Sequence, residues 1–295
     1  MAHRIAVLFH ERDRRRDLAV YSVYHLAQFW REAGHDVRFV FGPRDYTPAD
    51  LGFLHVDLSV VPAPYLELAA RYPLQVNGRV KDIRKSAFSR NLVGAGDAWD
   101  GPVIVKSDLN SAGRPERLLR EPAWVRAHAL TRRAEWYLRR LTGAPPFDDS
   151  RDYVLYPHRA RVPPRYFRDR RFVVERFLPE IADGLYHTRI FQFLGDRWTC
   201  TRLSAREPVV NAAAAVHTAD VEPHLEIRAW RRRLQLDYGK LDYVEREGGI
   251  ELLDVNKTTG AVRAHPDLEA LRRHRAQGIE WFFAGREEGT AGTAE

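Results

Sequence analysis

The chain has 295 residues, is 44% hydrophobic and carries a formal net charge of +7, which suits one large domain or two to three small lobes. No apolar run is long enough to span a membrane, and the single cysteine, Cys200, excludes an intrachain disulfide and favours a cytoplasmic protein. The arginines are scattered, without a recognition helix or an RNA-binding aromatic motif, so neither a membrane nor a nucleic acid is an expected partner.

The N-terminal part predicts a small lobe of the α/β class. Strand, helix and strand follow one another with short connections, which is the pattern of a βαβ unit and therefore of a parallel sheet. No glycine-rich dinucleotide motif follows the first strand, which argues against an NAD-binding lobe. The predicted strands are 4–9, 36–41, 53–61 and 74–76, and the predicted helices are 19–33 and 64–71.

Two lysines stand out in the next part of the chain. A short helix over 82–88 carries Lys85, and a buried strand that begins near residue 102 ends at Lys106. The polar loop 107–113 follows, and such a loop can direct backbone amides at a phosphate while the lysine supplies a point charge. A strand that ends in lysine at a turn is also commonplace, so the motif alone leaves both interpretations open.

The remaining elements alternate between strands and helices. Gly195 and Asp196 predict the turn of a hairpin, and the segment 211–219 predicts a loop. The other predicted strands are 152–156, 172–177, 186–193 and 197–203, and the predicted helices are 116–141, 223–234 and 266–283.

A charged hairpin near the C-terminus is the most informative motif. Its strands, 239–244 and 251–257, place Lys240 and Asp242 on one sheet face, with Asp254 and Asn256 on the same face of the partner strand. Carboxylate and amide oxygens suit Mg²⁺, which takes one or two protein carboxylates together with substrate phosphates. The alternative is the solvated face of an ordinary antiparallel hairpin.

Lysine is rare in this chain, and its positions are therefore informative. Only five of the 47 basic residues are lysine, so arginine supplies the ordinary positive charge. A lysine that persists indicates a place where a compact, mobile ammonium group is needed. Two of the five, Lys240 and Lys257, flank the acidic hairpin.

The order of these motifs resembles that of the ATP-grasp superfamily over about residues 79–262. The strand Val173-Val174-Glu175-Arg176-Phe177-Leu178, before a proline, completes the set. The resemblance implies an α/β fold: an N-terminal Rossmann-like lobe over 1–78 and an ATP-grasp domain over 79–284, followed by a flexible tail over 285–295. Within that domain it implies a lid over about 101–178 and a core over about 179–284.

The resemblance also implies a nucleotide site. Lys85 and Lys106 correspond to the lysines that hold the α- and β-phosphates, and the loop with Asn110 and Gly113 would cover the phosphates. In the hinge, backbone groups of Arg176 and Leu178, beside Phe177, would contact the adenine edge. Glu175 would accept from the adenine amino group, and Asp183 is the nearest candidate for the ribose.

Metal and catalytic residues follow from the same resemblance. Asp242, Asp254 and Asn256 match the metal ligands, and Lys240 falls where ligase members carry an arginine that faces the transferred phosphate. Arg189 and Arg202, on neighbouring strands, are expected to stabilise the developing charge. The chain departs from the family at Asp254, where a longer glutamate is usual, and at residues 257–260, which replace a proline-containing turn.

The function implied is an ATP- and Mg²⁺-dependent ligase. It would activate a carboxylate as an acyl phosphate and couple it to an amine or another nucleophile, and cationic walls favour a small anionic substrate. A small-molecule kinase of the same superfamily shares the nucleotide site. A degenerate nucleotide-binding protein and a basic nucleic-acid binder are the alternatives from other classes.

Overall fold

The computed structural model describes residues 1–120, 153–261 and 267–285. These residues build three β-sheets, one parallel and two antiparallel, with helices packed against them. The α/β class expected from the sequence is confirmed. Within these ranges no helix is long and apolar enough to cross a membrane.

The N-terminal sheet is parallel, as predicted, in the order β2-β1-β3-β4. Its central strands are almost entirely buried, which explains why they are continuous apolar runs. The third strand is shorter than predicted, because the chain leaves the sheet after His55. The elements are β1 Arg4–Phe9, α1 Ser22–Glu32, β2 Asp36–Phe41, β3 Leu51–His55, α2 Ala63–Ala69 and β4 Leu74–Val76.

The second sheet has three antiparallel strands in the order β6-β5-β7. The long helix predicted over 116–141 begins as expected, but residues 121–152 lie outside the described residues. The elements are α3 Lys85–Phe88, β5 Val103–Ser107, α4 Arg114–Arg120, β6 Val154–Tyr156, α5 Arg165–Arg168 and β7 Phe172–Arg176.

The third sheet is antiparallel, in the order β11-β10-β9-β12-β13, with β8 paired to β9. The loop predicted over 211–219 is wrong in its second half, where an edge strand forms with mostly exposed residues and no apolar alternation. The elements are β8 Glu180–Ala182, β9 Leu185–Leu194, β10 Arg197–Ala205, β11 Ala215–Asp220, α6 Leu225–Arg233, β12 Tyr238–Arg246, β13 Gly249–Asn256, α7 Leu268–Ala276 and α8 Glu280–Phe283.

The two faces of the third sheet have different roles. On one face Phe191, Phe193 and Tyr243 are buried together with Trp230 of α6. The opposite face carries Lys240 and Asp242 and forms one wall of a cleft. Residues of β5 and β7 contribute to the other wall. The strand alternation of β12 therefore separates a core from a candidate site.

Candidate active site

A cleft of about 490 Å³ is lined by the second and third sheets. Three lysine–carboxylate pairs lie at it: five of their six side chains line the cleft, and the sixth, Lys85, reaches it through its bond to Asp254. Every one of the six side chains was singled out from the sequence. The distances between the ammonium and carboxylate groups are 3.0 Å for Lys85–Asp254, 2.7 Å for Lys106–Glu175 and 2.8 Å for Lys240–Asp242.

Lys106 and Glu175 come from neighbouring strands, β5 and β7. Strand alternation directs both into the cleft, while Val105 and Val174 point into the core behind the sheet. Glu175 is 3% exposed, and its Oε1 has no hydrogen-bond partner among the described residues. Glu175 is thus paired with Lys106 in this structure, with one carboxylate oxygen still able to accept a hydrogen bond.

The acidic hairpin has the predicted register. Asp242 lies directly opposite Asp254, and Lys240 lies opposite Asn256. A β-bulge follows, at which Leu253 is the additional residue, and the carbonyl oxygen of Leu253 accepts from Lys106 Nζ at 3.4 Å. The bulge therefore directs a backbone oxygen of β13 to a lysine on the other wall, which is a common use of bulges at active sites.

Lys85 is held in place by Asp108, the residue that directly follows β5, the strand that contains Lys106. The carboxylate of Asp108 accepts from the N–H of Ser86 at 2.7 Å and from its hydroxyl at 2.9 Å, and the Asp108 carbonyl accepts from Lys85 N–H. Lys85 is 1% exposed and lies behind Asp254, outside the wall of the cleft. In this structure it neutralises Asp254, and its contact with a phosphate stays a prediction.

The two aspartates differ in their electrostatics. Burial raises the pKa of Asp242 above its ordinary value, although Lys240 opposes this effect. Burial would also raise the pKa of Asp254, but Lys85 and Lys240 together hold it below its ordinary value. Asp254 is therefore the more firmly ionised carboxylate, and it raises the pKa of Lys85 against the opposing effect of burial.

The donor set of the hairpin fits Mg²⁺. Asp242 Oδ1 is buried and has no hydrogen-bond partner within the described ranges, so this carboxylate oxygen is available to coordinate a cation. Asp254 lies opposite, and Asn256 adds an amide oxygen that also accepts from Thr258 N–H at 2.9 Å. Two carboxylates and an amide are the hard ligands that Mg²⁺ takes when phosphates complete its shell. No group of three or more His, Cys, Asp or Glu suited to a metal occurs among the described residues.

The hinge contributes Arg176, Phe177 and Leu178 to the wall of the cleft. The N–H of Arg176 bonds to Asn91 O at 2.8 Å, and that of Phe177 bonds to Pro102 O at 2.9 Å. The N–H of Leu178 has no acceptor in the described part of the chain. A base in the cleft could therefore accept a hydrogen bond from Leu178, but not from the N–H of Arg176, which is already used.

The predicted phosphate loop follows β5 and has an unusual backbone. Three successive residues, Ser111, Ala112 and Gly113, have φ of 47°, 53° and 72°. The left-handed region costs a non-glycine residue about 1–2 kcal/mol, so Ser111 and Ala112 are strained. Asn110 and Ser111 line the cleft, whereas Gly113 belongs to the loop but not to the wall. The loop is anchored where Asn110 N–H donates to Ser59 Oγ at 2.9 Å.

Two of the predicted catalytic residues lie on the wrong face. Arg189 and Arg202 are cross-strand partners in β9 and β10, on the face opposite the cleft. The guanidinium of Arg189 is bound by Glu180 and, at 3.0 Å, by Glu245. The prediction that these arginines stabilise the developing charge is wrong, because the strand alternation that directs Thr188 and Ile190 into the cleft directs Arg189 away from it.

The prediction of Asp183 as the ribose ligand is also wrong. Asp183 is exposed in the turn between β8 and β9, with φ of 53°, and it is absent from the wall of the cleft. A left-handed turn position favours aspartate for local backbone reasons, which sequence proximity to the hinge could not reveal. The carboxylates that line the cleft are Glu175, Asp242 and Asp254, and each is paired with a lysine.

Tyr153 is the functional candidate that the sequence did not indicate. It lines the cleft close enough to Lys85 for each to shift the pKa of the other, and Lys106 Nζ lies 6.0 Å from the centre of its ring. Burial raises the pKa of Tyr153 to about 12, so its hydroxyl stays a neutral donor at physiological pH. A tyrosine just before a short strand gives no sequence signal, but its position near both Lys85 and Lys106 is distinctive.

No family model and no curated protein sequence matches this chain. Among solved structures, a RimK-domain ATP-grasp protein from Sphaerobacter thermophilus is similar, with 14% identity and a TM-score of 0.48, over 96% of this chain and 100% of that one. D-alanine–D-alanine ligase from Bacillus anthracis is similar at 12% identity and a TM-score of 0.44, over 96% and 97% of the chains. The complex of that ligase with ATP is similar at 10% identity and a TM-score of 0.46, over 96% of this chain and 97% of that one. Identities of 10–14% transfer neither a substrate nor an activity to this chain.

Proposed function

We propose that the cleft binds ATP with Mg²⁺ and that the chain is an ATP-grasp ligase, which forms an acyl phosphate and couples it to an amine or another nucleophile. The observation that carries this proposal is that three lysine–carboxylate pairs, drawn from the second sheet, the third sheet and helix α3, meet at one cleft. A cleft of about 490 Å³ falls within the range of small-molecule sites. Its apolar hinge end suits a base, and its charged end suits phosphates.

Phosphoryl transfer asks the protein mainly for positioning and for stabilisation of charge. Lys106 and Lys85 would neutralise the triphosphate, and Lys240, on the floor of the cleft, would face the transferred group. Mg²⁺, held by Asp242, Asp254 and Asn256, would supply further charge neutralisation when bound. A preorganised donor of this kind is typically worth about 10²–10³ in rate.

The proposed reaction has two steps, formation of an acyl phosphate and its attack by the nucleophile. A carboxylate oxygen of the substrate attacks the γ-phosphorus, the bond to the β-phosphate oxygen breaks, and ADP leaves with the electron pair. The nucleophile then attacks the acyl carbon, phosphate leaves, and the nucleophile loses a proton. Arg114, an exposed cation on the wall of the cleft, supports an anionic acid as the substrate.

Trapping with hydroxylamine tests the proposal. A carboxylic-acid substrate panel with ATP, Mg²⁺ and hydroxylamine should give a hydroxamate together with ADP, because only an acyl phosphate reacts in this way. ADP and a phosphorylated hydroxyl compound without hydroxamate would identify a kinase instead. Binding of ATP without ADP release across the panel would indicate a degenerate nucleotide-binding protein.

A further inference from the structure

A second groove, of about 840 Å³, lies outside the candidate active site and shares no lining residue with it. Its walls come from the end of the N-terminal sheet, the turn between β9 and β10, α6 and α8. Four guanidinium groups line it, and we call it the arginine groove after these residues: Arg79, Arg228, Arg231 and Arg232.

Positive charge exceeds negative charge among the residues that line this groove, which include four arginines and two aspartates. Within the described ranges, Arg79, Arg228 and Arg232 form no ion pair. Two carboxylates line the groove, and both have other partners. Asp196 lies 3.7 Å from Arg197, and an oxygen of Asp237 accepts from the N–H of Asn77 at 2.9 Å.

Arg231 fixes the centre of the groove. Its guanidinium donates to Leu236 O at 2.9 Å and to Asp237 O at 3.3 Å, and it lies 4.5 Å above the ring of Phe193. Burial lowers the pKa of Arg231 to about 10; Asp237 and Asp196 oppose this effect, and the positive charges of Arg228 and Arg232 add to it. Four arginines and two aspartates line the groove, so it carries an excess of positive charge that a bound anion would offset.

The helix dipole accounts for only part of this arrangement. Basic residues in the last turn of α6 are favourable because the C-terminal end of a helix is negative. That argument does not cover Arg79, which comes from another part of the chain, or Arg228, one turn earlier. Arg228, Arg231 and Arg232 also share one helix face, where like charges repel.

The chemistry of the walls defines a ligand. Planar guanidinium groups bind phosphate with paired hydrogen bonds. Two indole rings, Trp198 and Trp281, also line the groove, and the guanidinium of Arg228 lies 5.6 Å from the centre of the Trp198 ring. The volume suits a nucleotide-sized molecule rather than a protein surface. An oligophosphate presents several charges within a few ångströms, whereas successive residues of an extended peptide are about 3.3 Å apart and point to opposite sides.

We propose that the arginine groove is a second binding site, for an organic oligophosphate, separate from the nucleotide cleft. Calorimetric titration of the metal-free chain with tripolyphosphate tests it. Wild type should bind at the groove, and the double variant Arg228→Gln/Arg232→Gln should weaken that event roughly tenfold for each guanidinium removed. Arg79→Gln, an exposed position on a different element, should weaken it too, which guards against a local folding defect.

The matched control is Arg233→Gln, the next residue of α6, whose guanidinium lies over Trp230 and outside the groove. It should bind tripolyphosphate as wild type does. Lys106→Met separates the groove from the cleft, because it should remove any binding at the cleft and leave binding at the groove unchanged.

Three results would overturn the proposal: no tripolyphosphate binding, binding that only Lys106→Met removes, or equal effects of the groove variants and Arg233→Gln. Binding of a poly-aspartate peptide but not of tripolyphosphate would also overturn the proposal, because it would identify the ligand as an acidic peptide. Since the groove titration needs neither ATP nor Mg²⁺, its outcome is independent of the proposed ligase activity.

Discussion

Asp242 and Asp254 lie directly opposite one another on β12 and β13, and each carboxylate is paired with a different lysine. Lys240 holds Asp242 and Lys85 holds Asp254, so each aspartate of the hairpin is neutralised by its own lysine. We infer an exchange of partners on binding of Mg²⁺ and ATP. The ammonium groups would turn to the phosphates, and the carboxylates would turn to the metal.

Lys106 is expected to be essential for nucleotide turnover. Lys106→Met should abolish ADP release, and it should also cost about 3–5 kcal/mol of unfolding free energy because it leaves Glu175 buried and unpaired. The double variant Lys106→Met/Glu175→Gln should recover most of the stability and none of the turnover. Urea unfolding and an ADP-release assay measure the two effects, and ADP release at the wild-type rate from either variant would refute this role.

Tyr153 is expected to bind phosphate through its hydroxyl. Tyr153→Phe keeps the ring and removes the donor beside Lys85, so ATP affinity should fall about 5–20-fold, in line with one hydrogen bond to a charged group. Tyr156→Phe, in β6 and outside the cleft, is the matched control and should bind ATP as wild type does. Equal ATP affinity of the two variants in calorimetry would exclude the role.

Arg189 is expected to stabilise the fold and to contribute nothing to catalysis. Arg189→Met leaves Glu180 and Glu245 without their cation, and it should cost about 2–3 kcal/mol of unfolding free energy. The value is lower than for a fully buried pair because Glu245 is 31% exposed. Turnover per folded molecule should be unchanged, and a hundredfold loss of kcat in a folded variant would restore the assignment made from the sequence.

The sequence predicted most of the charged residues that line the cleft because their signals are local. Lys106 and Glu175 stand in apolar strands, and Lys240, Asp242, Asp254 and Asn256 alternate within one hairpin, so the face that each occupies follows from a period of two. All six of these residues line the cleft. The N-terminal parallel sheet was predictable for the same reason, because buried strands and an amphipathic helix alternate along the chain.

The errors concern residues whose role depends on pairing between distant strands. Whether Arg189 faces the cleft depends on how β9 aligns with β12, and nothing near Arg189 in the sequence reveals that register. Asp183 was chosen for its distance from the hinge, although it serves a turn. Tyr153 acquires its importance only when β6 pairs with β5 and brings it beside two lysines.

A pH-dependent stability is expected from Asp13, a buried carboxyl in the N-terminal lobe. Burial raises its pKa to about 6 from 3.8, with Arg16 opposing and Asp57 reinforcing the effect. The folded state therefore keeps a proton that the unfolded chain releases between about pH 4 and pH 6, and stability falls as pH rises through that window. Two pKa units correspond to about 3 kcal/mol.

Asp13→Asn removes this titration. Relative to wild type, the variant should gain about 2–3 kcal/mol in unfolding free energy between pH 4 and pH 7. Urea unfolding of both proteins at the two pH values measures the difference, in which the titration of all other groups cancels. A difference between variant and wild type that is the same at both pH values would contradict the expectation.

The proposed function requires Asp254, together with Asp242 and Asn256, to bind Mg²⁺ along with ATP. The most direct test is calorimetric titration with a non-hydrolysable ATP analogue, with and without Mg²⁺, in wild type, Asp254→Asn and, as a control, Asp183→Asn. We expect Mg²⁺ to strengthen binding at least tenfold in wild type and in Asp183→Asn, and we expect Asp254→Asn to lose this dependence. The same affinity with and without Mg²⁺ in wild type, or a Mg²⁺ dependence that survives in Asp254→Asn, would contradict it.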